Sequence, residues 1–295
     1  MSTAMEKAAV LVEALPYIAK FHGKIVVIKY GGHAMVSQEL KAAVFTDLVL
    51  MKYVGMLPVV VHGGGPEITA MLDQLGIQSQ FVGGMRITDE KTMEIAEMVL
   101  VGKINKDIVA QINRIGGQGV GISGKDANLF LAAKKLHQLK TPDGQSQLVD
   151  IGYVGELIQV NPEVILNLIR DNYLPIVAPV AVGEQGESYN VNADYAAGSL
   201  AAALKADKLI ILTDVEGIMT DKNDPASLIS SLKATEFETM VRQGKIDGGM
   251  IPKVECCLEA LAGGVGTTHI LDGRTPHSIL LEIFTDQGVG TMVER

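Results

Sequence analysis

Cysteine is nearly absent: Cys256 and Cys257 are the only two in 295 residues, and they are adjacent. Neighbouring cysteines cannot build an ordinary disulfide framework, and no Cys/His spacing suits a metal. No metal-binding residue is therefore assigned, and a reducing cytoplasm is the expected location. Proline is sparse (10), and charged residues make up 20% of the chain against 47% hydrophobic, so disorder, a collagen-like chain and a coiled coil are excluded despite 32 glycines. No apolar run reaches the ~18 residues of a membrane span, and the N-terminal segment meets Glu13 and Pro16 before an apolar secretory core could form. The chain is expected to be neither exported nor membrane-spanning. Basic residues are outnumbered, 25 against 34, for a net charge of −9. That sign repels phosphate backbones and anionic lipid, so neither nucleic acid nor membrane is an expected partner.

What the chain does have is length for one large α/β domain or two fused lobes. Short Val/Ile-rich runs, each closed by glycines or an Asp-containing turn, read as buried parallel strands: 24–30, 56–62, 119–123, 174–179, 208–213 and 268–272. Helical periodicity fills most gaps, over 38–53, 67–75, 88–115, 162–171, 194–205 and 252–262. This alternation predicts a three-layer αβα sandwich around a mostly parallel sheet, with ligands at the carboxyl ends of the strands. Between Leu136 and Leu157 a polar stretch reads as a β-hairpin excursion. A lobe boundary is expected near Gly183–Glu187, giving an N-terminal helix over 1–23 and lobes over 24–185 and 186–295.

Two strand ends carry glycine loops. Lys29-Tyr30-Gly31-Gly32-His33 follows the first strand, and glycine there lets backbone N–H groups approach an anion. Lys29 alternates with buried Val27, which can project it at the strand mouth. His62-Gly63-Gly64-Gly65-Pro66 follows the second, with Pro66 at a helix start, a good cradle for phosphate or carboxylate. Either loop alone is equally well explained as a tight βα turn; two together point to phosphoryl chemistry. Gly119-Val120-Gly121-Ile122-Ser123-Gly124 matches a dinucleotide fingerprint in letters only. Its glycines lie inside the strand and no helix opens at Gly124, so a structural bend is the better reading and an NAD-dependent oxidoreductase is set aside.

Asn190, Asn192 and Asp194 put two amides and a carboxylate within five residues at a helix start, a kit for gripping a carboxylate and orienting lysines; Asn192 alone is explained as an N-cap. Lys253 sits one position past Pro252 near another helix start, where the macrodipole disfavours a cation unless it serves an anion.

Taken together, these segments resemble the amino acid kinase family from Lys24 to Arg295. The resemblance implies that ATP, with Mg2+ carried on the nucleotide, phosphorylates the γ-carboxylate of N-acetyl-L-glutamate to an acyl phosphate, an early step of arginine biosynthesis. It assigns Lys29 and Lys253 as catalytic lysines and Asp194 as their organiser. Gly64, Gly65, Asn190, Asn192 and Arg86 of Gly84-Met85-Arg86 would bind the acceptor. Gly31, Gly32, Thr213, Asp214, Gly217 and Met250 would bind the nucleotide. Sibling kinases of aspartate, glutamate, carbamate or UMP are the alternatives, along with a non-catalytic amino-acid-binding regulator on the same fold, which would tolerate loss of either lysine.

The first 23 residues carry an apolar stripe at helical spacing (Met5, Ala8, Val12, Leu15, Ala19) with Pro16 able to kink the helix. The pattern alone favours docking on the same subunit. With the segment from His277 to Met292, however, the stretch around Tyr17 resembles the arginine-inhibited members of the family. Those imply a hexamer of three dimers interlaced through this helix, L-arginine bound by Tyr17, Lys222, His277, Glu282 and Gly288, and, in some members, a PII-type signalling partner.

Overall fold

The computed structural model describes residues 4–35, 37–82, 85–140, 146–221, 224–285 and 288–295. The chain opens with α1 (Ala4–Phe21), β1 (Ile25–Tyr30), α2 (Gln38–Tyr53), β2 (Leu57–His62) and α3 (Gly65–Gln74). A two-stranded ribbon, β3 (Phe81–Val82) and β4 (Met85–Arg86), leads into α4 (Glu90–Glu97). A π-helical turn, Met98–Ile104, joins it to α5 (Asn105–Arg114), and β5 (Gly119–Ser123) follows. Next come β6 (Phe130–Lys140), β7 (Ser146–Val160), α6 (Glu163–Arg170), β8 (Leu174–Ala178), β9 (Val180–Val182), β10 (Ser188–Asn190) and α7 (Ala193–Ala203). The remainder is β11 (Lys208–Thr213), β12 (Ser231–Lys233), α8 (Ala234–Arg242), α9 (Met250–Ala262), β13 (Thr267–Asp272), α10 (Ser278–Phe284) and β14 (Thr291–Glu294).

Eight strands form the central sheet in the order β12-β14-β13-β11-β1-β2-β8-β5, parallel except where β14 meets β13. The α/β architecture expected of the sequence is therefore the one observed. β1 is the switch point: the chain goes first to β2 on one side of it and later returns to β11 on the other, and a crevice opens at such a reversal. Because strand side chains alternate, β1 feeds both layers. Val26, Ile28 and Tyr30 join the core under α2, α4 and α5, while Val27 joins the core under α7 and α9. Lys29 shares the parity of Val27 and so points toward α7 and α9.

Between 130 and 160 the expected excursion is a long antiparallel hairpin, β6 with β7, which closes a small barrel with β9 and β10. Gly183–Glu187, the expected boundary, forms the turn joining β9 to β10, with Gly183 N–H donating to Glu187 O. Along Gly119–Gly124 the glycines serve close packing: a Cβ at Gly121 would overlap Asn105 Oδ1, and one at Gly119 would lie 2.9 Å from Ile176 Cδ1. Among the described residues the apolar stripe of α1 finds no docking surface over most of its length. Met5, Leu11, Val12 and Leu15 are 60–84% exposed, and only the end of the helix, at Phe21, packs on the core. Among the described residues no helix is long and apolar enough to cross a membrane.

Candidate active site

The carboxyl ends of three neighbouring strands, β11, β1 and β2, converge with the starts of α7 and α9. Small residues make this possible. A Cβ at Gly198 would lie 2.5 Å from Cys256 Sγ and 3.2 Å from its carbonyl oxygen, so only glycine lets α7 approach α9 this closely. Cys256 Sγ in turn donates to Asp194 O at 2.8 Å. Asn192 caps α7, its Oδ1 accepting from the N–H groups of Asp194 (2.8 Å) and Tyr195 (3.3 Å).

The result is a buried carboxylate bridging two ammonium groups. Asp194 Oδ1 is 3.0 Å from Lys29 Nζ, and Oδ2 accepts from Lys253 Nζ at 2.8 Å. Burial alone would raise the Asp194 carboxyl, but the charges of Lys29 and Lys253 outweigh it and hold it down at about 2. One carboxylate against two lysines leaves a local charge of +1, held rigidly and largely dehydrated. Such a device attracts an anion.

Two chambers lie beside this bridge and share the wall formed by Gly63, Gly64, Gly65, Asn192 and Ala193. The smaller, about 150 Å3, is lined by Lys29, Gly31, Gly32, Glu67, Asn192 and Asp194. Gly32 has φ +66°, and its missing Cβ faces Asp214 N across the β11 end. Glycine at 31 leaves room for the head of Lys29, whose Nζ would lie 2.8 Å from a Cβ there. This cradle fits phosphate oxygens.

The larger chamber, about 330 Å3, shares Gly63, Gly64, Gly65 and Asn192 with the first and adds Arg86, Leu100, Asn190 and the β6–β7 hairpin. Gly65, where a Cβ would meet nothing within 4 Å, opens directly onto this space. Arg86 is 8% exposed and fixed by three bonds: Nη1 donates to Ser79 Oγ (2.6 Å), and Nη2 donates to Thr69 Oγ1 (2.7 Å) and Gly65 O (3.0 Å). Its guanidinium lies 4.7 Å from the Phe81 ring centroid. Two of its five donors remain for a ligand.

Behind the second glycine loop, His62 is fully buried. Its Nδ1 donates to Gly63 O (2.9 Å) and Nε2 accepts from Asn105 Nδ2 (3.3 Å), and burial pushes the imidazole down to about 4. This neutral histidine ties the loop to α5.

Thr213 and Asp214 lie at the β11 end facing Gly32, and Thr213 is buried. Gly217 packs against Thr291, and Met250 opens α9. The five residues expected to form an effector site are not all together. Tyr17, Glu282 and Gly288 line a third cavity of about 580 Å3 between α1 and the β13–β14 edge. His277, in the left-handed region at φ 60°, instead reaches Asp47 Oδ1 at 2.5 Å. Lys222 lies outside the described residues. The histidine in the cavity is His269, whose Nε2 is 2.8 Å from Glu282 Oε1, the same oxygen that takes Lys208 Nζ at 2.8 Å. Position within a strand hid His269 from sequence reasoning. The same reasoning passed over Tyr195, Glu67 and Lys135, which also face the chambers.

A switch-point crevice with two glycine cradles and a carboxylate-bridged lysine pair defines an α/β protein built to handle phosphate beside a second anion. The chain belongs to the amino acid kinase family, whose sequence pattern matches residues 24–272. It is 70% identical, over all 295 residues and the whole of the relative, to the acetylglutamate kinase of Pelotomaculum thermopropionicum. It is 62% identical over 289 residues, 98% of this chain and 97% of the relative, to that of Moorella thermoacetica. Among solved structures, the N-acetylglutamate synthase of Neisseria gonorrhoeae complexed with coenzyme A and N-acetyl-glutamate superposes with a TM-score of 0.81 at 24% identity. The superposition covers 98% of this chain, which spans only 63% of that one. Carbamate kinase of Giardia lamblia superposes at 0.67 with 20% identity, over 92% of this chain and 99% of that one. The protein is a kinase of amino-acid biosynthesis.

Proposed function

We propose that this kinase transfers the γ-phosphoryl group of ATP to the γ-carboxylate of N-acetyl-L-glutamate, giving an acyl phosphate and ADP. The observation that carries the reading is the Lys29–Asp194–Lys253 bridge, whose Lys29 and Asp194 line the smaller chamber; the acetylglutamate kinase relatives supply the acceptor. In-line transfer between two anions asks little covalent help of the protein and much charge neutralisation. Lys29 and Lys253 neutralise the transferring group, and the N–H groups of Gly32, Gly64 and Gly65 add donors. Asp194 orients the lysines and does not act as a base, since the attacking carboxylate is already ionised near neutral pH. Arg86 and Asn190 hold the α-carboxylate, with Asn192 alongside. Thr213, Asp214, Gly217 and Met250, within a lobe running from residue 186, face the nucleotide together with Gly31 and Gly32 of the preceding lobe. Magnesium, which lowers the charge of the phosphates, travels on the nucleotide.

In the same reading α1 is an oligomerisation helix. A bare stripe of Met5, Leu11, Val12 and Leu15 favours burial against other subunits in a cytoplasmic hexamer. L-Arginine binds the cavity beside α1, its cationic group directed to Glu282, and slows lobe closure. Tyr17 and Gly288 line that cavity, and the same reading assigns His277 and Lys222 to the effector. A PII-type partner belongs to the same reading.

Hydroxylamine trapping tests the reaction. Incubation with ATP, N-acetylglutamate and hydroxylamine should yield a hydroxamate in step with ADP, because only an acyl phosphate is captured this way. ADP release without hydroxamate would overturn the reading. For regulation, deletion of residues 1–23 should give active dimers with much weaker arginine inhibition, and a full-length dimer indifferent to millimolar arginine would overturn that part alone.

A further inference from the structure

One lysine of the β6–β7 hairpin is turned away from its neighbours. Lys134 pairs with Gly155 across the ladder and Leu136 with Asp150, so Lys135 alone on β6 spans the arc 151–154 of β7. The extra residues of this irregularity lie on β7, while on β6 the ordinary strand alternation sets Lys135 on the face opposite Lys134 and Leu136. Lys134 keeps an ordinary surface position and bonds Asp150 at 2.7 Å. Lys135 instead turns into the wall of the larger chamber, with Nζ 5.0 Å from the centroid of the Tyr195 ring.

Tyr195 is a firm seat. It follows Asp194 directly, its N–H is capped by Asn192, and its hydroxyl donates to Glu255 Oε2 of α9 at 2.8 Å. Glu156 of β7 and Glu259 of α9 line the same mouth. Burial and then the charge of Glu255 push the Glu259 carboxyl up, and the ammonium of Lys135 works against this. The contact thus joins the hairpin to both helices that carry the Asp194–Lys253 pair.

We propose that Lys135 is an acceptor-positioning residue: seated on Tyr195, it pins the β6–β7 hairpin across the mouth of the larger chamber and fixes the reach between the Arg86 end and the Asn192 wall shared with the chamber that holds Lys29. The inference rests on that chamber being the acceptor site. A fixed reach favours a γ-carboxylate over the one-carbon-shorter β-carboxylate of N-acetylaspartate. Loss of the pin therefore costs acceptor affinity and selectivity more than turnover or nucleotide affinity.

Calorimetric titration of the full-length protein with N-acetylglutamate, without ATP, provides the test, supported by steady-state kinetics with both acceptors. Lys135→Ala should raise the acceptor Kd on the order of 10-fold. Its acceptor KM should rise by more than kcat falls, the KM for ATP should hold, and the preference over N-acetylaspartate should narrow. Lys135→Arg, whose guanidinium also stacks on a ring, should restore affinity, whereas Lys135→Gln should not. Tyr195→Leu should match Lys135→Ala, and the double variant should lose no more. Unchanged acceptor affinity in Lys135→Ala, or additive losses in the double variant, would overturn the proposal. A wild-type protein that binds no N-acetylglutamate would instead remove the acceptor assignment beneath it.

Discussion

Replacing Asp194 by Asn removes one negative charge and almost no volume from a site that is 6% exposed, leaving Lys29 and Lys253 facing each other across a neutral amide. The fold holds the carboxyl at about 2 against an ordinary 3.8. At about 1.4 kcal/mol per pH unit, that difference stabilises the ionised form by on the order of 2 kcal/mol, so Asp194→Asn should lose about that much at pH 7.5. For a chain of this size the loss corresponds to a Tm drop on the order of 5 °C. Because the folded carboxyl is depressed, its contribution is present above about pH 3.8 and fades as the pH falls toward 2, so the gap between variant and wild type should be constant from pH 8 down to about 4. Turnover should fall on the order of 10²-fold or more, since both lysines lose the group that aims them. Thermal denaturation and ADP release on the same preparations check both. A folded Asp194→Asn protein with wild-type Tm and turnover within about threefold would refute the bridge as organiser.

Arg86→Ala should raise the acceptor KM more than it lowers kcat, since a grip on the α-carboxylate is equal in ground and transition states; an unchanged KM in steady-state kinetics would take Arg86 out of the acceptor site. Gly198→Ala drives a methyl into Cys256 and should separate α7 from α9, costing about 1–3 kcal/mol by chemical denaturation and lowering kcat with it; a more stable, fully active variant would contradict the packing argument. His62 is held neutral down to about pH 4, while the unfolded chain protonates it near 6.5. The unfolded state therefore binds the extra proton in that window, and stability is lost as the pH falls from 6.5 to 4. Between pH 7.5 and 4 the wild type should lose about 3 kcal/mol more than His62→Asn, and parallel profiles would show that His62 is not buried as described.

The sheet was legible where strands were long, apolar and followed by glycine. Expected spans 119–123 and 208–213 coincide with β5 and β11, and β1, β2, β8 and β13 agree to within one residue at either end. β12 and β14 are three and four residues long, too short for periodicity to announce them, whereas α8 carries Phe237, Met240 and Val241 at helical spacing against the core and was passed over. Lys29 could be read from strand parity, and Lys253 from its awkward place at a helix start. Their joint contact with Asp194 depends on α7 and α9 crossing behind β1, which no local pattern encodes. Lys135 was invisible for a related reason: strand alternation gives its face, but only the folding of the hairpin against α7 brings that face onto Tyr195. Between His269 and His277, only the strand register and the left-handed turn decide which histidine meets Glu282 and which meets Asp47.

The acceptor decides the account most directly. ADP release by the purified full-length protein should depend on N-acetyl-L-glutamate and be negligible with equal concentrations of free glutamate, aspartate, carbamate or UMP. Comparable turnover with any of those four, or none with N-acetylglutamate, would contradict it.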